Sequence, residues 1–179
     1  MTTPSKARAT SREWHREGYT ITTLPIDFLV DLFASPTFYW ARTLPPDFMR
    51  GTLDTSLCFG LFQDKHSDPS TKSKGLVGLA RCITDFTTFA YLTDVWVDDA
   101  LRGQGLGAWI VSCVREALMA MPHLRRGLLF TADWERSVPF YERVMGMEVM
   151  DAERGKGLAV MEMKGEGHPS FGRSGSGYD

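Results

Sequence analysis

The chain has 179 residues, of which 43% are hydrophobic and 23% are charged, and its formal net charge is −2. These values are typical of one globular domain that buries its own core, and they argue against a chain that is disordered throughout. A nearly neutral chain has no strong field for nucleic acid or an anionic membrane, and no apolar run approaches the roughly 20 residues of a bilayer span.

Three cysteines, Cys58, Cys82 and Cys113, are spread through apolar segments of the sequence. No Cys-x-x-Cys pair occurs, so the sequence indicates neither a zinc site nor a disulfide framework, and we expect no metal. Buried, reduced thiols are the simplest interpretation. They favour a reducing compartment, and we expect a cytoplasmic protein.

The two ends of the chain differ in composition from its middle. Residues 1–17 mix basic residues with Ser and Thr and lack a regular apolar face, and residues 165–179 are rich in Gly and Ser. We therefore expect a flexible N-terminal arm over 1–17, a folded domain over 18–164 and a flexible tail over 165–179.

The first half of the domain is predicted to contain mostly strands. A strand from Tyr19 to Leu24 is followed by two short helices that begin near Pro25 and Pro45. Three further strands follow, at 57–63, 76–84 and 89–97. A polar hairpin loop and a short turn separate them.

The second half is predicted to contain a crossover. A strongly amphipathic helix of about four turns ends at Pro122, followed by a strand at 127–132, a helix from Ser137 to Met145 and a closing hairpin at 147–163. A strand–helix–strand crossover makes its two strands parallel, so 89–132 predicts one parallel pair in a mostly antiparallel sheet. The expected fold class is a mixed α/β domain of the α+β type, flanked by about four helices.

The most informative segment is the glycine-rich loop Arg102-Gly103-Gln104-Gly105-Leu106-Gly107, which joins a strand to the long helix. Glycines allow several N–H groups to point at one spot, and the helix N-terminus adds the positive end of its dipole. The loop lacks the Lys-Ser or Lys-Thr of a Walker motif, and it comes too late in the chain for a dinucleotide fingerprint. The pattern favours a cradle for a pyrophosphate.

This loop, with the strand Asp94-Val95-Trp96-Val97 before it and the helix after it, resembles the donor-binding motif of the GNAT N-acetyltransferase superfamily. The similarity spans roughly residues 19–163, and the segments Ser56–Gly60 and Phe89–Val95 also resemble uncharacterised microbial GNAT proteins. The resemblance implies the GNAT fold. It also implies transfer of an acetyl group from acetyl-coenzyme A by direct attack of a primary amine.

The resemblance further implies how acetyl-coenzyme A is held. N–H groups of the loop would bind the pyrophosphate, and the strand before it would pair with the pantetheine arm as if with an added strand. A bulge there would leave the N–H of Val95 for the thioester oxygen. Asp133 stands where many relatives have an Asn that contacts the arm. The implied donor-binding residues are Val95, Trp96, Val97, Arg102, Gly103, Gln104, Gly105, Leu106, Gly107, Ala108 and Asp133.

The same resemblance implies two catalytic residues. Tyr141 matches a tyrosine that protonates the departing thiolate, although five steps rather than four separate it from Gly146, so a core role for Tyr141 stays open. Tyr91 stands where some relatives have a carboxylate base, and we expect Asp94 to take that role. Three alternatives stay open: Asp94 bonds the backbone or an arginine, a water chain carries the proton, or Asp85 serves, although a turn position favours a structural role for it.

The acceptor site is implied near the first two helices, where Tyr39, Trp40 and Arg42 lie. These side chains could stack on an acceptor or grip a cation, or they could form the edge of the core. The charge balance favours a small-molecule amine, and many GNAT proteins dimerise, so a homodimer is compatible with the sequence.

Three other functions are considered. A protein or peptide acetyltransferase stays open, as does a GNAT protein that binds coenzyme A as a sensor or subunit without catalysis. A glyoxalase-like metal enzyme is disfavoured because the four histidines, His15, His66, His123 and His168, form no ligand set.

Overall fold

The computed structural model describes residues 12–24, 45, 47–48, 51, 53, 55–64, 75–150, 155–156, 159–166 and 171–173. The predicted acceptor residues Tyr39, Trp40 and Arg42 lie outside these ranges, as does the first predicted helix. The second predicted helix is described at four of its residues, Asp47, Phe48, Gly51 and Leu53, all of which are helical.

Eight strands in the described ranges form one sheet, in the order β1-β2-β3-β4-β5-β6-β8-β7. The strands are β1 (Glu13–Arg16), β2 (Tyr19–Thr23), β3 (Ser56–Gln63), β4 (Leu76–Thr84), β5 (Phe89–Val97), β6 (Arg126–Thr131), β7 (Glu148–Val149) and β8 (Ala159–Lys164). Neighbouring strands are antiparallel except β5 and β6, which are parallel. The prediction of a mixed, mostly antiparallel sheet with one parallel pair is confirmed.

The parallel pair exists because helix α1 (Leu106–Met119) carries the chain from the end of β5 back to the start of β6. Its apolar residues recur at three- and four-residue steps and pack against β3, β4 and β5. Helix α2 (Ser137–Met145) packs beside α1. It ends at Gly146, whose φ of 66° favours glycine. The two helices therefore bracket the end of the parallel pair.

The three cysteines are buried, as predicted. Burial raises the pKa of the Cys82 and Cys113 thiols above the ordinary value, because the thiolate form loses its hydration. These thiols therefore stay protonated and act as apolar core groups.

The boundary predicted for the N-terminal arm is wrong, because β1 lies within residues 1–17. The Trp14 ring lies 5.9 Å from that of Phe59, and its indole N–H donates to Oε2 of Glu116 at 2.9 Å. The hairpin turns at Gly18, with φ of 76°. A four-residue strand with mostly exposed polar residues gives a weak sequence pattern, and the contacts of Trp14 with distant residues hold it to the sheet.

Gly165, the first residue of the predicted tail, is bonded to the folded domain. The N–H of Gly165 donates to the carbonyl of Arg125 at 3.2 Å, so the chain leaves β8 while still bonded to the strand region. In the part of the chain that the structure describes, no helix is long and apolar enough to cross a membrane.

Candidate active site

The parallel strands β5 and β6 are paired only at their beginnings, where residues 89–91 pair with residues 126–128. Beyond Tyr91, β5 continues to Val97 and β6 to Thr131 without further register between them. A cavity of about 200 Å³ lies in the resulting gap. It is lined by Tyr91, Leu92, Thr93, Asp94, Val95, Leu129, Phe130, Thr131, Ser137 and Tyr141. This gap, which we call the strand opening, exposes one edge of β5 to an extended ligand.

A bulge interrupts β5 beside the strand opening. Arg81 pairs with Thr93, whereas Leu79 pairs with Trp96, so β5 carries one residue more than β4 across this stretch. Asp94 has a φ of 49°, in the left-handed region that Asp tolerates better than most residues. The predicted bulge is confirmed, and it sits at Asp94 and Val95, where the backbone leaves the ladder with β4.

The side chain of Asp94 is bound by an arginine. Nε of Arg81 donates to Oδ2 of Asp94 at 2.6 Å, and Nη1 of Arg81 donates to Oγ of Ser56 at 3.2 Å. The Arg81 and Asp94 side chains are only 14% and 20% exposed. The ion pair therefore ties the bulge of β5 to β4 and β3, which is one of the alternatives that the sequence left open for Asp94.

Tyr141 reaches the strand opening from α2. It packs against the core and edge-on against Phe140, with ring centroids 5.0 Å apart. Burial raises the pKa of the Tyr141 phenol to about 12, and the Cys82 thiol adds a smaller effect in the same direction. The phenol is therefore protonated near neutral pH, and the five-residue spacing to Gly146 does not carry it away from the opening.

Asp85 has a structural role in the turn before β5. Its Oδ1 accepts from the N–H groups of Thr87, Thr88 and Phe89 at 2.9, 2.7 and 3.0 Å. Its Oδ2 accepts from the Thr88 hydroxyl at 2.6 Å. Desolvation raises the pKa of this carboxyl, but the hydrogen bonds outweigh it and lower the pKa to about 2. Asp85 lies before the start of β5 and does not line the opening.

The glycine-rich loop continues from the end of β5 and begins α1. Asp98 caps a short 3-10 turn by accepting from the N–H of Ala100 at 2.9 Å. Gly103 and Gly105 have φ of 84° and 76°, conformations that side chains other than glycine rarely adopt. The first bond within α1 runs from the N–H of Trp109 to the Gly105 carbonyl, so the three preceding N–H groups have no partner within the helix. Such a set of N–H donors at a helix N-terminus, beside the exposed loop residues 103–105, fits a phosphate.

Side chains from several elements surround this loop. The exposed Arg102 guanidinium pairs with Asp99 at 2.5 Å. Oε1 of Gln104 accepts from the Tyr19 hydroxyl at 3.2 Å. Nη1 of Arg16 lies 3.7 Å from the place where a side chain on Gly105 would begin. The N-terminal hairpin therefore reaches the loop.

The sequence reasoning missed Arg16 and Tyr19 as neighbours of the loop. Arg16 falls inside the segment predicted to be a flexible arm, and Tyr19 was treated only as the start of a strand. The sequence carries one sign of a hairpin here. Trp14 and Arg16 have the two-residue spacing of a strand, and Gly18 lies between this segment and β2, where a hairpin turn is expected.

Asp133 lies in the turn before α2 and does not line the opening. Its Oδ1 accepts from the N–H of Arg136 at 2.8 Å, and its carbonyl accepts from the N–H groups of Ser137 and Val138. Through these bonds Asp133 caps the turn that leads into α2.

A family profile and a relative of similar length both match this chain. The profile of the Acetyltransferase (GNAT) family matches residues 26–147. A Gibberella zeae protein that is provisionally named an acetyltransferase is 34% identical over 173 residues, which cover 88% of this chain and 96% of that protein.

Solved structures with low sequence identity share the fold. Spermidine N-acetyltransferase from Vibrio cholerae, in complex with CoA and spermine, has a TM-score of 0.56 at 13% identity and covers 83% of this chain and 96% of its own. Ribosomal-protein-S5-alanine acetyltransferase from Vibrio fischeri has a TM-score of 0.61 at 10% identity, with coverage of 86% and 97%. A GNAT family acetyltransferase from Elizabethkingia anophelis with acetyl-CoA bound has a TM-score of 0.53 at 10% identity, with coverage of 83% and 99%. The chain belongs to the GNAT family of acetyltransferases.

Proposed function

We propose that this protein transfers an acetyl group from acetyl-coenzyme A to the primary amine of a small molecule. One observation carries the proposal: the bulge at Asp94 and Val95 lines the same opening as Tyr141, and β5 leads from it directly to the glycine-rich loop. The solved structures with CoA or acetyl-CoA bound support the choice of donor.

The donor-binding part of the proposal assigns backbone groups along one continuous segment. N–H groups from Gly103 to Ala108 hold the pyrophosphate, because they lie at the positive end of a helix dipole and the loop residues 103–105 are exposed. The open edge of Val95–Val97 bonds the pantetheine arm in the manner of an added strand. Acetyl-coenzyme A supplies the activated acetyl group as a thioester.

The bulge provides an electrostatic role for the backbone. The N–H of Val95 donates to the carbonyl oxygen of the thioester, where negative charge develops as the amine attacks. Removal of one such donor typically lowers kcat by about 10²- to 10³-fold. The N–H of Val95 is a backbone group, so its position depends on the conformation of Asp94. The ion pair with Arg81 holds that conformation.

Tyr141 acts as the general acid in this proposal. Its phenol donates a proton to the sulfur as the thiolate departs, and its raised pKa ensures that the proton is present near neutral pH. A free thiol has a pKa of about 8.5, and burial in the strand opening raises the pKa of the departing thiol as well. Desolvation therefore raises the pKa of both groups, so the phenol keeps its proton until the thiolate forms beside it.

We assign Asp94 as a positioning residue and not as the general base. Its Oδ2 is engaged by Arg81, and its left-handed conformation forms the bulge that orients Val95. The ammonium of the acceptor then loses a proton to solvent at the mouth of the opening, and the neutral amine attacks. The second proton that the nitrogen releases as the amide forms also leaves to solvent, which returns a proton to Tyr141. This revises the role that the sequence favoured for Asp94.

The experiment that tests the function combines binding with turnover. Calorimetric titration with acetyl-coenzyme A should give micromolar affinity, and a thiol-release assay should give turnover with one class among aliphatic, aromatic and polyamine acceptors. Turnover only with peptide amines would contradict the small-molecule acceptor. Binding without any turnover would favour a coenzyme A-binding protein without catalysis, and a lack of binding would contradict the donor.

A further inference from the structure

The β1–β2 hairpin is attached to α1 at two separated places. Towards the end of α1, Oε2 of Glu116 accepts from the Trp14 indole, and Oε1 of Glu116 pairs with Arg12 at 3.7 Å. Before the start of α1, the Tyr19 hydroxyl donates to Gln104. Strand β1 therefore runs along α1 in the opposite direction, from its last turns towards its N-terminus.

This path brings Arg16 to the glycine-rich loop. Side chains alternate along a strand, so Trp14 and Arg16 share the face of β1 that is turned towards α1, and Arg12, just before the strand, contacts α1 from the same side. Arg16 pairs in register with Tyr19, the residue that contacts Gln104. Its Nη1 atom lies 3.7 Å from where a Cβ on Gly105 would be, at the exposed end of the loop.

The electrostatics of this position favour an anion. The N-terminus of α1 already carries the positive end of the helix dipole, and a second positive group beside it is unfavourable in the absence of a counter-charge. The side chain of Arg16 adds a full positive charge there, whereas Arg102 in the same loop already has Asp99 as a counter-charge. A guanidinium fork can give two parallel hydrogen bonds to phosphate oxygens, which a lysine cannot.

We infer that Arg16 binds the pyrophosphate of coenzyme A at the glycine-rich loop. The inference rests on the proposed donor, and it adds a side chain from the N-terminal hairpin to a site otherwise made of backbone N–H groups. Arg16 precedes the 26–147 segment matched by the family profile, so this contact is a feature of this chain's own N-terminal strand.

The test measures dissociation constants of three ligands for the wild type and three variants. The ligands are coenzyme A, dephospho-coenzyme A, which keeps the pyrophosphate but lacks the 3′-phosphate, and acetyl-pantetheine, which has neither. Arg16→Ala should weaken the binding of coenzyme A roughly tenfold, because it removes charge-assisted hydrogen bonds that solvent partly screens at this exposed position. Arg16→Lys, which keeps the charge but not the fork, should lose less.

Arg12→Ala is the matched control, since it removes the same charge from the same side of the chain. Arg12 is four residues from Arg16, or about 13 Å along a strand, which exceeds the screening length of roughly 8 Å at physiological salt. We expect its affinity for coenzyme A to stay within twofold of the wild type. Circular dichroism and thermal melts of each variant show whether the hairpin is still folded.

The outcomes separate the inference from the function on which it rests. A loss in Arg16→Ala that is the same for coenzyme A and dephospho-coenzyme A, and absent for acetyl-pantetheine, supports the pyrophosphate contact. A loss confined to coenzyme A would move the contact to the 3′-phosphate and overturn the assignment. An equal loss for all three ligands, or none, would also overturn it. If the wild type binds none of them, the proposed donor itself is wrong.

Discussion

Replacement of Tyr141 by Phe tests the proposed general acid with little change in shape. The variant removes the phenolic hydroxyl and keeps the ring that packs against Phe140 and the core. General acid catalysis typically contributes about 10²- to 10⁴-fold, so we expect kcat to fall by roughly 10²-fold or more. The affinity for acetyl-coenzyme A should change little, because the donor is held mainly by backbone groups.

The raised pKa of Tyr141 also predicts how the stability of Tyr141→Phe should differ from that of the wild type as pH rises. The folded phenol has a pKa of about 12, against 10.0 for an ordinary tyrosine. From pH 10 upwards the unfolded chain loses this proton while the folded chain keeps it, so the unfolded state binds fewer protons and stability falls as pH rises. By pH 11 this effect lowers the free energy of unfolding of the wild type by roughly 1.4 kcal/mol, and Tyr141→Phe should show no such decrease.

Two assays therefore bear on the assignment. Steady-state kinetics compare Tyr141→Phe with Tyr91→Phe, which removes a phenol from the same opening but on β5. Urea unfolding between pH 8 and 11 compares the free energies of unfolding of wild type and Tyr141→Phe. Full turnover in Tyr141→Phe, or an equal loss in both variants, would refute the general acid. A stability difference that does not change with pH would refute the buried state of the phenol.

Four further substitutions, at three positions, test the surroundings of the site. Asp94→Asn keeps both the tolerance for a left-handed φ and an acceptor for Arg81, so steady-state assays should show less than about a tenfold loss in kcat, whereas loss of a general base would be about 10²-fold or more. Asp94→Ala removes both features, and chemical denaturation should show a loss of roughly 1–3 kcal/mol, since it strands the partly buried guanidinium. Arg102→Glu places a carboxylate beside the proposed pyrophosphate site and should weaken coenzyme A in a calorimetric titration; unchanged affinity would contradict the role of the loop. Asp85→Asn should be less stable than the wild type at pH 7, and the gap should narrow as pH falls from about 4 to 2, because the carboxylate with its lowered pKa stabilises the fold only while ionised. Urea midpoints measured across this window that keep a constant gap would contradict the role of the Asp85 hydrogen bonds.

The sequence predicted the elements whose signals are local. The spacing of apolar residues in α1 and the glycines before it fixed both the crossover and the loop, because helix periodicity and positive φ are properties of consecutive residues. The turn role of Asp85 was likewise readable, since an Asx turn involves only the next few residues.

The features that sequence reasoning missed depend on contacts between distant residues. Strand β1 is held by Trp14 against Glu116, which lies 102 positions later in the chain. The partner of Asp94 is Arg81 on the neighbouring strand, and the strand pattern of β4 gives no sign that this arginine points to the bulge. The resemblance placed Asp133 where many relatives have an Asn that contacts the pantetheine arm. In the structure, its Oδ1 and its carbonyl oxygen accept from the N–H groups of residues 136–138.

The arrangement around Asp94 also links stability to the proposed chemistry. A non-glycine residue in a left-handed conformation costs on the order of 1 kcal/mol, so the bulge persists only where other contacts favour it. Arg81 provides such contacts, because one guanidinium binds Asp94 on β5 and Ser56 on β3 at the same time. If the bulge relaxed into regular pairing, Val95 would return to the ladder with β4, and its N–H would no longer be available to the thioester oxygen. In the proposed mechanism, Arg81 therefore acts through Asp94, by keeping the N–H of Val95 in place before acetyl-coenzyme A binds.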